Sequence, residues 1–538
     1  MDDEALTHPR DPTASGRAEA GVNRIRTLYV NGRILGPDLL PVGQAMLVGA
    51  SSILWVGSGA DAQRHRDEAR DVVDLDGGVV TAAFVDAHVH LSATGAALRG
   101  LDLSDARSLL EALSRVEAAG RRNGGRPLLV QNWDDTTWPE QRAFTARELD
   151  RASYGGVVYA PRVDGHSAVI SSALAAAAGL NPWGMADGRV VTDDHHRARA
   201  TFEANLTRGQ RRDDIAVALH TAASRGIAWV HENGGPVVSS SEDFDDVAAV
   251  AKDPSMPRTV AYWAQLMRSP DEVDELQGRR GGFAGLAGDL NIDGSIGSRT
   301  ASLRADYSDA AGTSGNAFLG VDQVRDHVVA CTRARTQAGF HVIGDAGVDV
   351  AIAGLEAAAE VAGLEDVRSR RHRLEHVEMI SADGAARLAR LGVVASMQPA
   401  FDARWGGATG MYATRLGPQR AQRMNPFRTL LDAGVTIALG SDSPVTPMAP
   451  WEAVRAAVRH HDEQERITAV EAFVAHTAGG TAAAQGVGPA TQPQAGGSAD
   501  FVVWDYSPSW FDDLALEGSP PSARRTVCAG NVVHDEMG

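Results

Sequence analysis

The sequence predicts an α/β fold: a TIM-like (β/α)8 barrel, a small β-sandwich domain built from both chain ends, and an inserted α/β subdomain. Three observations lead there. Apolar segments of strand length alternate with alanine-rich helical stretches through the middle of the chain, the pattern of a parallel α/β fold. Eight such segments can be counted, and polar, ligand-capable residues recur at their C-terminal ends, where barrels carry their chemistry. Short β-rich segments with Gly and Asn turns open the chain and return at its close.

Taken in order, residues 1–22 are polar and mixed in charge, and disorder is expected there. The β-rich texture of residues 27–35, 45–48 and 52–56 reappears in 499–504 and 525–533. Residues 23–80 and 485–538 are therefore expected to share one small β domain, since chain termini often meet in space. The barrel is expected over 81–484. Its first strand is the apolar run 79–85, which reads as buried on both faces. The remaining strands are expected at 227–231, 259–263, 290–293, 340–343, 373–376, 393–397 and 437–442. Residues 101–210 are too many for one barrel connection and carry strand candidates at 128–133 and 157–160. They are expected to form an inserted subdomain over the barrel mouth.

Composition narrows the function. With 22% charged and 43% hydrophobic residues over 538 positions, the chain is globular. Its net charge of −18 comes without a basic patch, so neither nucleic acid nor an anionic membrane is an expected partner. Cys331 and Cys528 are the only cysteines and lack metal-type spacing, which fits a reducing compartment and no disulfide. No signal-peptide core or bilayer-length apolar run is present, so a cytoplasmic location is expected. Lys252 is the only lysine.

The first barrel strand runs into Asp86-Ala87-His88-Val89-His90. Alternate strand residues share a face, so His88 and His90 can aim both imidazoles at one point, a half-site for zinc or a similar ion. Alone, such a pair is as often a hydrogen-bonded strand end. Here His231, Asp293, His341, His376 and Asp442 stand at or near the ends of other strands, and five such coincidences favour a site.

The motifs resemble those of the amidohydrolase superfamily, and within it the YtcJ-like branch of metal-dependent hydrolases. They are Phe84-Val-Asp-Ala-His-Val-His90, Trp133-Asp134 with Trp138-Pro139, Asp164-Gly-His-Ser167 and Asp293-Gly-Ser-Ile-Gly-Ser-Arg-Thr-Ala301. His341-Val-Ile-Gly-Asp345, Arg373-Leu-Glu-His-Val-Glu378, Ser396-Met-Gln-Pro399, Gly440-Ser-Asp-Ser-Pro444 and Gly497-Ser-Ala-Asp-Phe501 follow. The resemblance implies a divalent metal, zinc foremost, held by His88, His90 and Asp442, with His341 and His376 at a second position or on the substrate. It also implies Asp442 as proton shuttle between the attacking water and the leaving group. His376, His341 or His231 would stabilise the oxyanion. Trp133, Asp134, His166, Asp293 and Arg299 are implied substrate contacts. The His231-Glu232-Asn233-Gly-Gly235 loop is read equally as structural or as touching substrate.

Two positions depart from the branch. Ala82-Ala83 replace its usual Pro-Gly, affecting a local bend. Asp289 stands where the branch carries a lysine that, as a carbamate, bridges two metals. Lys252 precedes the third strand, at the opposite barrel end, and cannot replace it. Asp289 is several ångströms shorter than a carboxylated lysine and would bridge only if the backbone moved inward. One ion or an asymmetric pair is expected, without a lysine bridge, with Asp289 among the ligands. The Arg368-Ser-Arg-Arg-His-Arg373 run reads as a solvated approach to a strand. The expected activity is hydrolysis of a non-peptide carbon–nitrogen bond of a small molecule. Heterocycle deamination and a silent metal-binding scaffold are the alternatives, and a homodimer is possible.

Overall fold

The computed structural model describes residues 26–135, 138–162, 167–181, 186–236 and 238–537. The expected disorder of 1–22 and the expected contact from His166 lie outside these residues. Eight strands carry the site: β1 (Phe84–Val89), β2 (Ile227–Glu232), β3 (Arg258–Ala261), β4 (Gly285–Leu286), β5 (Gln337–Val342), β6 (Arg373–His376), β7 (Val394–Met397) and β8 (Thr436–Leu439). They pair in parallel as β3-β2-β1 and as β4-β5-β6-β7-β8. Isolated parallel bridges, Val89–Ser443 and Tyr262–Gly285, join the two sheets at both seams. Every residue of β1 is buried, the polar Asp86 and His88 included. Phe84 packs edge-on against Trp451, Phe473 and Trp504 in one continuous core.

Two strands differ from expectation. The apolar run 79–85 divides between two sheets. Val79–Ala82 pairs with Arg33–Leu35 and with Phe501–Trp504 in a six-stranded sheet made by the chain ends, and β1 starts afresh at Phe84. Between them the Ala83 N–H turns to the Asp500 carbonyl at 3.3 Å, which ends the first pairing. The fourth strand is Gly285–Leu286, ahead of the expected 290–293. Gly288 stops it: its φ of +90° lies in the region that glycine alone enters freely, and the chain turns off the strand direction there.

A second, four-stranded sheet of the N-terminal region orders Ile53–Gly57, Ala45–Val48, Thr27–Val30 and Asp71–Asp74. Tyr29 and Met46 from it share an apolar cluster with Ile34, Val80, Phe501 and Val527 from the six-stranded sheet. The region 101–191 has its own five-stranded sheet and two apolar clusters, one built on Trp133, Trp138 and Phe144. It leans on helix Leu91–Arg99 and helix Arg208–Ser224, through Gln131 Nε2 donating to the Ala97 carbonyl at 2.7 Å and Arg126 pairing with Asp214 at 2.8 Å. Cys331 and Cys528 are both free and buried. Among the described residues, no helix is long and apolar enough to cross a membrane.

Candidate metal centre

Six side chains expected as ligands meet at the C-terminal ends of the strands. His88 and His90 come from β1 and the residue after it, Asp289 from the turn after β4, His341 from β5, His376 from β6 and Asp442 from just beyond β8. Their ligand atoms form three overlapping groups: His88, His90 and Asp289; Asp289, His341 and His376; His88, His376 and Asp442. Asp289 belongs to both the His88–His90 and the His341–His376 groups. Its Oδ1 lies 3.5 Å from His88 Nε2 and 3.7 Å from His341 Nδ1, and its Oδ2 3.2 Å from His90 Nε2. Asp442 Oδ1 lies 3.1 Å from His90 Nε2 and 3.5 Å from His88 Nε2.

The backbone before Asp289 turns so that this short side chain reaches the histidines. The left-handed turn at Gly288 brings the chain against the loop after β2, where the Asp289 N–H donates to the Asn233 carbonyl at 3.2 Å. A Cβ at Gly288 would stand 2.6 Å from that carbonyl oxygen. His376 (φ +73°) and Asp442 (φ +53°) also occupy left-handed backbone, at the points where β6 and β8 give way to loops. For non-glycine residues this conformation costs energy and is held by the surrounding structure.

Outer partners set which nitrogen three of the four histidines offer to the centre. His88 Nδ1 donates to Glu375 Oε2 at 2.9 Å, and His376 Nδ1 donates to Gln398 Oε1 at 2.8 Å. His341 turns Nε2 to the Gly294 carbonyl at 3.3 Å, which leaves Nδ1 facing Asp289. These three rings thus present a lone pair inward, the arrangement a metal ligand requires, while His90 Nδ1 has no partner and its Nε2 faces Asp289 and Asp442. His88 Nε2 and Asp289 Oδ1 are buried with no hydrogen-bond partner. A lone pair and carboxylate oxygens held together in a dry site repel one another unless a cation lies among them. The donor set therefore fits a divalent ion.

The charges agree. Burial pushes His90 toward neutrality, but Asp289 and Asp442 more than reverse it and hold its affinity for a positive charge well above the ordinary imidazole value. His88 is raised in the same way by Asp442, Asp289 and Glu375 against the pull of burial. His341 is pushed up to about 9, with Asp289 overcoming burial. Burial resists ionisation of Asp289, yet His90 and His88 hold it well below the usual carboxylate range. Asp442 is likewise lowered by His88 and His90. His376 goes the other way, to about 4, through burial and the neighbouring His341.

A charged layer that the sequence reading did not identify supports the ligands from below. Arg368 and Arg371 of the arginine run are exposed as expected, but Arg373 at its end is fully buried, which corrects the reading there. Its guanidinium binds Glu375, donates to the Ala87 carbonyl at 2.7 Å and to Ser396 Oγ at 3.3 Å, and lies over the Tyr262 ring at 4.4 Å. Arg373 and Glu375 are two residues apart on a strand and so share a face; that spacing was the available signal. Asp86 accepts from the N–H groups of His88 at 3.3 Å and Ser441 at 2.9 Å, tying β1 to the loop that carries Asp442. Glu232 accepts from Leu91 N–H and Gly234 N–H, both at 2.7 Å, and clamps the turn after His90.

Other expected contacts sit elsewhere. His231 is buried beside the centre: its Nδ1 accepts from Arg373 at 3.2 Å, and its Nε2 has no partner. Trp133, an expected substrate contact, is 1% exposed and lies in an apolar core of the 101–191 region, stacked on Trp138 with Nε1 donating to the Ala160 carbonyl at 3.2 Å. Asp134 pairs with Arg162 at 2.8 Å. The Asp293 carboxylate is also structural, being filled by the N–H groups of Ser302, Ile343 and Gly344 at 2.8–2.9 Å. Arg299 is occupied by a two-point ion pair with Asp309. Lys252 lies ahead of β3, at the strand ends away from the centre, where it lines a cleft with Met256, Arg258 and Cys528.

Comparison with known proteins gives a consistent picture. The model of the amidohydrolase family matches residues 71–534. The putative amidohydrolase YtcJ of Bacillus subtilis (strain 168) is 24% identical over 509 residues, 88% of this chain and 92% of its own. The N-substituted formamide deformylase of Arthrobacter pascens is 24% identical over 499 residues, 86% of this chain and 90% of its own. The crystal structure of an uncharacterized metal-dependent hydrolase from Pyrococcus furiosus superposes with a TM-score of 0.75 at 24% identity, covering 90% of this chain and 99% of that one.

Proposed function

The chain belongs to the amidohydrolase family, and from that premise we propose that it hydrolyses a non-peptide carbon–nitrogen bond of a small molecule, an amide, into an acid and an amine. The N-substituted formamide deformylase among its relatives supports this bond class. The observation that carries the reading is the inward lone pair of His88, fixed by Glu375 and facing Asp289 and Asp442. We read the circuit of parallel strands as a (β/α)8 barrel, the two terminal sheets as a small β-sandwich over 23–80 and 485–538, and 101–210 as an inserted subdomain.

His88, His90 and Asp442 would hold one ion, or an asymmetric pair together with His341 and His376, with Asp289 among the ligands. Zinc suits this mixture of imidazole and carboxylate. Such a cation supplies Lewis acidity, which acidifies water and polarises a carbonyl. Asp442, kept ionised by the histidines around it, takes the proton of the attacking water and delivers it to the amine nitrogen as the carbon–nitrogen bond breaks. His231 accepts from Arg373 through Nδ1, so its neutral ring carries the remaining proton on Nε2, a donor for the developing oxyanion.

The test is a panel of N-substituted formamides and small secondary amides, with the released amine quantified for the zinc-loaded protein. Release by the wild type with loss in Asp442→Asn supports the reading. No release across the panel, or full activity in the variant, overturns it.

A further inference from the structure

A second convergence of ligand-type side chains lies behind His376, outside the centre described above. We infer that Asp402, His460 and His461 form a separate site for a divalent cation of the zinc class.

Asp402 belongs to helix Pro399–Trp405, and the two histidines follow helix Pro450–Val458. Their ligand atoms lie together. Asp402 Oδ1 is 3.3 Å from His460 Nε2 and in direct contact with His461 Nδ1, while Oδ2 accepts the His461 N–H at 3.0 Å. The two imidazoles stack with centroids 4.6 Å apart. Bonds of roughly 2.0–2.2 Å at tetrahedral angles separate ligand atoms by about 3.3–3.6 Å, so the His460–Asp402 spacing already suits an ion.

The second, independent observation is an orphan. His460 is completely buried, yet its Nε2 has no hydrogen-bond partner, although a carboxylate oxygen stands 3.3 Å away. Its Nδ1 lies 3.1 Å from the Asp462 carbonyl and 3.0 Å from the Asp462 N–H, so the ring has a partner there in either tautomer. With the proton on Nδ1, Nε2 presents a lone pair toward Asp402, as in other metal-bound histidines. Gly406 keeps the approach open: a Cβ at that position would stand 2.6 Å from Asp402 Oδ1 and 2.9 Å from His461 Nδ1. Two imidazoles and one carboxylate leave a fourth position for water.

The ion would fasten the helix after β7 to the segment that follows β8. That helix matters to the main centre. Gln398 at its start holds His376 Nδ1, and Phe401, next to Asp402, stacks on the His376 ring at 6.0 Å. Asp402, His460 and His461 are thus positioning residues for His376. The rival is an ion-free cluster, in which a protonated His461 pairs with Asp402 and His460 carries its proton on Nε2.

Zinc-edge anomalous scattering from crystals of the full-length protein, stripped with chelator and reloaded with zinc, decides between them. We expect a peak about 2.0–2.1 Å from His460 Nε2, and elemental analysis one ion per chain lower in Asp402→Asn and in His460→Gln. The main centre is read in the same map, so its occupancy is judged separately. No peak at the cluster overturns the inference, whether or not the main centre is filled, as does an unchanged ion count in both folded variants. Should neither variant fold, the peak in the wild-type map, present or absent, is sufficient by itself.

Discussion

The Nδ1 of His88 lies 2.9 Å from Oε2 of Glu375, so a candidate metal ligand has its proton committed to a buried carboxylate. Glu375 is in turn neutralised by Arg373, which holds its carboxyl far below the usual range against the opposing effect of burial. Lone pair, carboxylate and guanidinium make one chain of dependence from the core to the centre.

Replacing Glu375 by Gln preserves the shape and removes the charge that fixes His88. Outer partners of this kind are worth about 10–100-fold in metal affinity, and a loss of that size is expected. Competition with a chromophoric chelator measures it; unchanged affinity would show that His88 needs no such support.

Gly288→Ala should displace Asp289 without touching any ligand. The φ of +90° strains a side-chain-bearing residue by about 1–3 kcal/mol, and the new Cβ meets the Asn233 carbonyl at 2.6 Å. A lower melting temperature and loss of at least one ion per chain are the expected results. An ion count equal to wild type would mean that Asp289 is not among the ligands.

Three buried histidines outside the centre link stability to pH. His327 is held at about 4 and His372 at about 3, in each case chiefly by burial. His476 is held at about 4 for the same reason. All three are therefore neutral when folded, whereas the unfolded chain protonates them near pH 6.5. Their contribution is complete above pH 6.5 and is lost as the pH falls from there toward 4 and 3, because the unfolded state binds more protons. Unfolding at pH 5.5 should take up about one proton fewer in His327→Gln than in wild type, measurable from calorimetric enthalpies in buffers of different ionisation heat. Equal uptake would mean that His327 titrates normally in the folded protein.

Trp133→Ala should cost about 3–5 kcal/mol, the usual range for a buried aromatic, because it empties a core shared with Trp138 and Phe144. The loss is expected in the inserted region, as faster proteolysis there, with the ions of the main centre retained. A specific rise in KM without destabilisation would restore the substrate role.

Most of the strands and the convergence of the six candidate ligands were legible because most of these residues stand at or near the ends of apolar runs, and strand ends converge in a parallel α/β fold. What escaped notice was the support beneath them. Arg373 reads as one more surface arginine until the two-residue spacing to Glu375 is combined with knowledge that both faces of β6 are buried. Gln398 holds His376 across 22 residues of sequence, a pairing that no local pattern announces. Trp133, Asp293 and Arg299 occupy family-like motifs, but a motif does not state whether it faces substrate or the protein. Here their hydrogen bonds and ion pairs run to the protein. Asp289 is the sharpest case: its length suggested that it would fall short, yet its carboxylate lies 3.2–3.7 Å from three histidines, beside the turn at Gly288.

The divided run 79–89 has a consequence for how the centre comes into being. Val79–Ala82 is held by Phe501–Trp504, and the strand that begins one residue later carries His88. The segment that leads into His88 is thus clasped by a strand made near the end of translation, while β1 itself pairs with β2, made well before it. The candidate ligands stand on a strand that can be set early, joined to a terminal sheet that can close only late.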